Sequence, residues 1–248
     1  MKQYKHLVIN GCSFAAGAML DNTNKERYGR LISNKMNLEE INLALHGGSN
    51  DRIFRTSYDW IQRNKKNCKN TLMIIGLTET FREELYSVKT KKYTKFQYAN
   101  LDTKQDIDDF KDISGIKDYN KVKQYLEYRF LNFVDELYFK ENLRRNIVLL
   151  HNYAKSNNID VVFFDALKDD GNFEEQHRYE YDYSSNQYQD NIKFIVDNDL
   201  NYFIFPNNAK NWKKHMLNLD DTYKGYHPTK KQHQEFSELL WEYLNETF

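Results

Sequence analysis

Short apolar runs recur along the chain, and glycine or proline follows several of them. They occupy residues 6–10, 41–45, 72–75, 159–164 and 202–205. Runs of this length and of continuous apolar character are typical of strands buried between two layers in a parallel sheet. The pattern therefore predicts five parallel strands.

Segments with apolar residues at helical spacing lie between these runs. They cover residues 28–35, 52–64, 125–157 and 229–245, and the third is long enough to form two helices. Ser49 or Asn50 is placed to cap the second. Strands that alternate with helices predict right-handed crossovers and a three-layer α/β/α domain with a flavodoxin-like, five-stranded parallel sheet. Ligands of such sheets bind outside the carboxyl ends of the strands.

Two segments, at about 89–120 and 169–189, are rich in charged residues and tyrosine and show no clean period. Long loops in compact domains commonly form lids or binding walls. Because no internal repeat and no linker rich in proline, glycine or serine interrupts the sequence, we expect a single domain over residues 1–248 with excursions at these two places.

Charge and cysteine content argue against several classes of protein. Lysine plus arginine equals aspartate plus glutamate, at 36 each, so we expect no binding to nucleic acid or to a membrane. The two cysteines cannot build a disulfide framework, and the histidines lack ligand spacing, so no metal and no cofactor are expected. The first ten residues are too short and polar for a signal peptide, and no stretch approaches the roughly 18 apolar residues of a membrane span, which predicts a cytoplasmic protein.

Ser13 comes directly after the first predicted strand, in a turn that begins at Gly11. On such a turn the hydroxyl can point into the crevice at the edge of the sheet, and the N–H of Ser13 lies near a helix N-terminus, where a developing oxyanion is favoured. A helix-capping serine has the same sequence pattern. The segment is not the Gly-x-Ser-x-Gly elbow of α/β hydrolases, because residue 15 is alanine and no strand precedes the first one.

His227 precedes the last predicted helix, in the sequence Tyr226-His227-Pro228-Thr229. Pro228 and Thr229 favour a helix start, which holds the histidine on a rigid loop. Such a histidine alone is more often ordinary surface structure, but its combination with an N-terminal serine turn is specific.

The combination resembles the SGNH (GDSL-like) hydrolase family. Its first block, Gly-Asp-Ser-x-x-x-Gly, is similar to residues 11–17, its second-block glycine matches Gly47, and its final His-Pro matches His227. The resemblance implies that Ser13 is a nucleophile and His227 its general base. It also implies that the oxyanion is held by the N–H groups of Ser13 and Gly47 and by a side chain near position 78.

Two positions depart from the family pattern. Thr78 stands where the third block usually has asparagine, and either its hydroxyl or the amide of Asn50 is available as the third oxyanion donor. Lys224 stands where the triad aspartate is expected. Asp221, or its neighbour Asp220, is the candidate acid if the loop folds back, and otherwise a backbone carbonyl orients His227 in a Ser–His dyad.

A closer resemblance links residues 47–56 and 75–84 to SGNH-like proteins of tailed bacteriophages, in which a Gly-x-Thr followed by arginine and glutamate replaces the third block. This resemblance implies a buried ionic cluster of Arg52, Arg55, Arg82 and Glu84 near the site. The alternative is an exposed charged helix face. His46 and Arg82 are candidates for contacting the substrate.

These observations predict a serine esterase that hydrolyses a carboxylic ester, for which an O-acetyl group on a glycan is a candidate. The expected partner is a small-molecule or glycan ester, and the oligomeric state stays open. A catalytically decayed protein of the same fold, with a binding or virion-structural role, is the main alternative. A flavodoxin-like phosphate binder is a second alternative, although the sequence contains no matching glycine-rich motif.

Overall fold

The computed structural model describes residues 2–97, 118–133, 136–167, 193–206, 211–219 and 227–248. Its centre is a sheet of four parallel strands in the order β2-β1-β3-β6. These strands are β1 (His6–Asn10), β2 (Glu39–Asn42), β3 (Thr71–Leu77) and β6 (Asp160–Asp165). The predicted α/β fold with a parallel sheet is confirmed.

The sheet has one strand fewer than the five predicted. The segment around Tyr202 forms a single parallel bridge to Phe163, with two backbone hydrogen bonds of 3.0 and 2.8 Å. Pairing stops there because β6 ends two residues later at Asp165, and because Pro206 offers no N–H to continue a ladder.

Helices cover both faces of the sheet. They are α1 (Ser13–Ala16), α2 (Thr23–Glu26), α3 (Tyr28–Met36), α4 (Asn50–Arg63), α5 (Tyr119–Phe133), α6 (Glu136–Ser156), α7 (Trp212–Leu219) and α8 (Lys230–Thr247). The long pattern at 125–157 thus forms two helices, as expected. Ser49 caps α4 by accepting a hydrogen bond from the backbone N–H of Arg52. In the described part of the chain, no helix is long and apolar enough to cross a membrane.

Along each strand, alternate side chains pack against the helices on opposite faces of the sheet. Leu7 and Ile9 pack with α3 and α8 in one hydrophobic core. Val8 packs with α4 and α6 in a second core on the other face. Because side chains of a strand alternate in direction, one continuous apolar run supplies both cores.

An antiparallel hairpin follows β3 and lies beside α4. It consists of β4 (Arg82–Ser87) and β5 (Lys92–Gln97). Arg55 of α4 forms two hydrogen bonds with Glu84, at 2.6 and 2.8 Å, and its guanidinium lies 4.1 Å from the ring centroid of Tyr93. The hairpin accounts for the start of the excursion predicted at 89–120, whereas residues 98–117 and the excursion at 169–189 lie outside the described residues.

His233 makes the stability of the fold depend on pH. Its side chain is buried beside Trp212, and its Nδ1 accepts a hydrogen bond from the N–H of Tyr28. Burial, with a smaller effect of the Arg27 charge, lowers the pKa of His233 to about 3 from 6.5. As the pH falls below 6.5, the unfolded chain takes up a proton that the folded chain does not, so stability is lost between about pH 6.5 and pH 3.

Because of His233, we expect the free energy of unfolding to fall by about 2 kcal/mol between pH 7.5 and pH 5. Urea unfolding of the wild type and of His233→Gln at both pH values isolates the effect from that of the other histidines. The variant should lose about 2 kcal/mol less than the wild type over this interval. Equal losses would show that His233 is not the titrating group.

Candidate active site

Three loops meet at the carboxyl edge of the sheet. The order β2-β1-β3 places the loop after β1 between the other two, at the switch point where open α/β sheets bind ligands. Hydrogen bonds join the loops: the N–H of Leu45 donates to the carbonyl of Gly11 at 3.2 Å, and Asn50 bonds to the backbone of Thr78. The structure thus brings the three predicted loops together.

Ser13 is the first residue of α1 and is 7% exposed. Cys12 occupies the N-cap position and makes no side-chain cap hydrogen bond. Ser13 is therefore not the capping residue of this helix, which was the structural alternative to a nucleophile. Because α1 has only four residues, its dipole is small, and any stabilisation of an oxyanion here comes from the local N–H groups.

Asn10 fixes the turn that presents Ser13. Its Nδ2 lies 2.9 Å from three acceptors on α4, the carbonyl of Ile53 and the hydroxyls of Thr56 and Ser57. Its Oδ1 accepts a hydrogen bond from the N–H of Gly11 at 2.9 Å. Sequence reasoning missed this residue, because its partners on α4 lie more than 40 positions away.

Gly11 allows the strands to approach closely at this turn. A Cβ atom on Gly11 would lie 2.8 Å from the Cβ of Ala15 and 3.1 Å from the carbonyl oxygen of Gly76. Both distances are shorter than normal contacts, so a larger residue would displace α1 and with it Ser13.

His227 reaches the segment that carries Ser13. Its ring centroid lies 5.8 Å from that of Phe14, the residue after Ser13. Burial lowers the pKa of His227, and the positive charges of His46 and Arg82 lower it further. The imidazole is therefore held neutral near pH 7, which is the form that accepts a proton.

Gly47 has a φ of +65°, a backbone conformation that favours glycine. A Cβ at this position would lie 3.0 Å from Nζ of Lys95 in β5. This lysine donates a hydrogen bond to the carbonyl of the exposed His46 at 3.0 Å. Lys95 was not anticipated from the sequence, and it adds positive charge next to the predicted oxyanion donor.

Thr78 lies directly after β3, and its hydroxyl has an unusual environment. The amide of Asn50 donates to the carbonyl of Thr78 and accepts from its N–H, both at 3.0 Å. Asn50 thus positions Thr78. The Oγ1 atom of Thr78 is buried, and no group in the described part of the chain forms a hydrogen bond with it.

The ionic cluster predicted around Arg82 forms only in part. Arg55 pairs with Glu84, but Arg82 pairs with Glu79, with Nη2 2.6 Å from Oε2. Arg52 donates instead to the backbone carbonyl of Leu43 at 3.0 Å.

The predicted triad acid lies outside the described residues, as do all three positions considered for it: Asp220, Asp221 and Lys224. Within the ranges that the structure describes, no three side chains of His, Cys, Asp or Glu come together in an arrangement that could hold a metal ion. Both Cys12 and Cys68 are buried free thiols.

Comparison with known proteins identifies the fold and a family. Residues 17–245 match the model of a family described as "Family of unknown function (DUF6071)", a range that includes Gly47, Thr78 and His227 and begins after Ser13. No curated protein matches the sequence.

Two solved structures show the fold. A psychrotrophic esterase, EstA, from Pseudoalteromonas sp., inhibited by monoethylphosphonate, is 12% identical with a TM-score of 0.53, over 98% of this chain and 97% of that chain. A member of the lipolytic protein G-D-S-L family from Veillonella parvula DSM 2008 is 9% identical with a TM-score of 0.52, over 96% and 97% of the two chains. At these identities the likeness establishes the fold alone.

Proposed function

Because this chain belongs to the family described as "Family of unknown function (DUF6071)" and shares the fold of an esterase and a G-D-S-L lipolytic protein, we propose that it is a serine hydrolase of carboxylic esters. The observation that carries the proposal is the convergence of His227, held neutral, on the segment that bears Ser13. More than 200 residues separate the two in sequence.

In the proposed reaction, Oγ of Ser13 attacks the ester carbonyl carbon while His227 accepts the hydroxyl proton. The tetrahedral intermediate collapses to an acyl-serine, and His227 returns the proton to the departing alcohol. Water then attacks the acyl-serine, with His227 again as base, to release the acid and restore Ser13. Neither half of the cycle needs a cofactor, since each proton that His227 accepts is returned.

The oxyanion donors in this proposal are the N–H groups of Ser13 and Gly47 and the hydroxyl of Thr78. A buried hydroxyl without a partner is costly in a folded protein, and an oxyanion that forms during the reaction would supply the missing acceptor. Asn50 takes a positioning role, because its amide already binds the backbone of Thr78. The third donor is therefore assigned to Thr78 in preference to Asn50.

Thr78→Val tests this assignment with a side chain of nearly the same shape. We expect kcat to fall on the order of a hundredfold with little change in KM, because the hydrogen bond forms only in the transition state. The variant should be at least as stable as the wild type, since it removes an unsatisfied buried hydroxyl. Steady-state kinetics and urea unfolding measure both effects, and Thr78→Ser is the control that keeps the hydroxyl. An unchanged kcat in Thr78→Val would remove Thr78 from the oxyanion site.

The substrate that we propose is an O-acetyl ester on a glycan. Arg82 lines a cleft in which half of the lining side chains carry an amide or a hydroxyl, namely Asn50, Thr80, Asn142 and Asn146. Such groups form hydrogen bonds with sugar hydroxyls, which supports a sugar as the alcohol. Acetylated monosaccharides, with 4-nitrophenyl acetate as a general ester, are therefore the first substrates to test.

Trapping of the acyl-enzyme tests the reaction itself. The protein is mixed with 4-nitrophenyl acetate, quenched in acid within the first turnover, and digested for mass spectrometry. The proposal expects the peptide that contains Ser13 to gain the mass of one acetyl group. Hydrolysis with the acetyl group on another residue would contradict the role of Ser13, and absence of hydrolysis of every ester tried would contradict the function.

A further inference from the structure

The guanidinium of Arg82 has a hydrogen-bond donor that no described residue binds. Its side chain is 10% exposed, and Nε and Nη2 bind Glu79 at 2.7 and 2.6 Å. Nη1 is buried, and within the described residues it has no hydrogen-bond partner. A buried charged donor without an acceptor carries a large desolvation cost, which a bound ligand would relieve.

Arg82 lines a cleft between α4, the loop after β3, and α6. The cleft is small and open to solvent. Asn50, Thr80 and Asn142 contribute amide and hydroxyl groups to the wall, and Phe139 contributes an apolar surface. Most of the side chains that line the cleft, including that of Arg82, are therefore polar.

The cleft adjoins the candidate active site. Asn50, in its wall, is the residue whose amide holds Thr78. Arg82 is close enough to His227 for its charge to lower the pKa of that imidazole. Lys95, bonded to the carbonyl of His46, adds a positive charge beside the predicted oxyanion donor Gly47.

Asp51 is the negatively charged group in the wall. Its burial and the charges of Glu83 and Glu84 raise the pKa of Asp51 to about 6, and the amide of Asn142 lies 3.4 Å from its Oδ1. Asp51 is therefore partly protonated near pH 6. It forms no ion pair with Arg82, whose Nη1 stays available to another acceptor.

We propose that Nη1 of Arg82 binds a carboxylate of the substrate, so that the preferred ester is an acidic one. The inference rests on the proposed function and narrows its substrate class to esters that carry a carboxylate on either the acyl or the alcohol part. Charge-assisted hydrogen bonds to carboxylates are among the stronger ones in proteins, and arginine is well suited to form them.

Matched esters test the proposal through a ratio of rates. On the alcohol side, kcat/KM for 4-acetoxybenzoate is divided by that for the neutral 4-acetoxybenzamide. On the acyl side, 4-nitrophenyl 4-carboxybenzoate, whose carboxylate cannot reach its own ester, is compared with the neutral 4-nitrophenyl 4-carbamoylbenzoate. The variant is Glu79→Gln/Arg82→Gln, which removes the charge of Arg82 without leaving the carboxylate of Glu79 unpaired. The control is Arg63→Gln, at the far end of α4, roughly 20 Å from Asn50 at 1.5 Å per residue.

We expect wild type and Arg63→Gln to favour the acidic member of at least one pair. In the double variant this preference should fall by about tenfold to a hundredfold. The pair that responds identifies which part of the ester bears the carboxylate. A ratio that is the same in wild type and double variant for both pairs would overturn the proposal even if the esters are hydrolysed.

Binding separates failure of this inference from failure of the proposed function. Calorimetric titration of 4-acetoxybenzoate into Ser13→Ala, and into the same protein with Glu79→Gln/Arg82→Gln, needs no catalysis. Affinity at least about tenfold weaker in the triple variant supports the carboxylate subsite even if no ester is turned over. Equal affinity, or no binding to either protein, would rule the subsite out.

Discussion

Ser13→Ala is expected to abolish ester hydrolysis, lowering kcat by about three orders of magnitude or more. The substitution removes the atom that forms the acyl-enzyme, and the remaining oxyanion donors cannot replace a nucleophile. The fold should remain intact, because the side chain of Ser13 does not cap α1 and Cys12 takes the N-cap position. We expect the unfolding free energy to stay within about 1 kcal/mol of the wild type.

Ser156→Ala is the matched control for this experiment. Ser156 is exposed at the end of α6. Its replacement by alanine removes a serine hydroxyl, as Ser13→Ala does. Ester hydrolysis by both variants and the wild type is followed together with urea unfolding. Full activity in Ser13→Ala would refute the assignment of the nucleophile, whereas a loss in Ser156→Ala would expose a defect in the assay or in folding.

His227→Gln is the second substitution with a large expected effect. It removes the general base while keeping a polar side chain of similar length, and we expect kcat/KM to fall by roughly three orders of magnitude. His6→Gln is the control, since His6 lies at the start of β1, at the opposite edge of the sheet from Ser13. A variant His227→Gln that retains more than about a tenth of the activity would contradict the role of a base.

The pH profile of the wild type carries independent information on His227. Burial, together with the charges of His46 and Arg82, lowers the pKa of His227 below 6.5. A base acts in its unprotonated form, so kcat/KM should fall towards acid pH along a limb centred below pH 6.5. The profile is measured down to pH 5, with circular dichroism at each pH to exclude unfolding caused by His233. An acid limb centred above pH 6.5 would contradict the electrostatic environment of His227.

Much of the sheet could be predicted from apolar pattern alone, because β1, β3 and β6 are buried on both faces. The edge strand β2 is less regular. It begins at Glu39, earlier than the predicted run at 41–45. Glu40 belongs to it because Arg27 and Arg30 both lie 2.9 Å from its carboxylate, which is buried. A charged residue held by partners from another helix has no signature in a hydropathy pattern.

The hairpin was missed for a related reason. The residues of β4 include Glu83 and Glu84, which a pattern of apolar and polar positions assigns to the surface. In the fold Glu84 binds Arg55 of α4, and Glu83 binds Arg129 of α5 with Nη2 and Oε1 2.8 Å apart. These long-range ion pairs replace the apolar contacts on which strand prediction depends.

The candidate site also contains some residues that could be predicted from sequence and others that could not. Ser13, Gly47 and Thr78 could be placed from sequence because each follows a predicted strand, and parallel strands end at one edge. His227 required the family resemblance. Asn10 and Lys95 could not be found, since the role of each depends on contacts with a loop or helix distant in sequence. Arg82 was expected in an ionic cluster with Arg52, Arg55 and Glu84, but it pairs with Glu79, three positions before it.

Labelling with a fluorescent fluorophosphonate tests whether Ser13 is an activated nucleophile, since the probe reacts with an activated serine and needs no knowledge of the substrate. Folded wild type, Ser13→Ala and His227→Ala are compared at pH 7.5, with Ser156→Ala as the control. We expect labelling of wild type and of Ser156→Ala, with little or none in Ser13→Ala and His227→Ala. A well-folded wild type that does not react, or a Ser13→Ala protein that reacts as the wild type does, would contradict this role of Ser13 and favour a binding protein that retains the hydrolase fold without the chemistry.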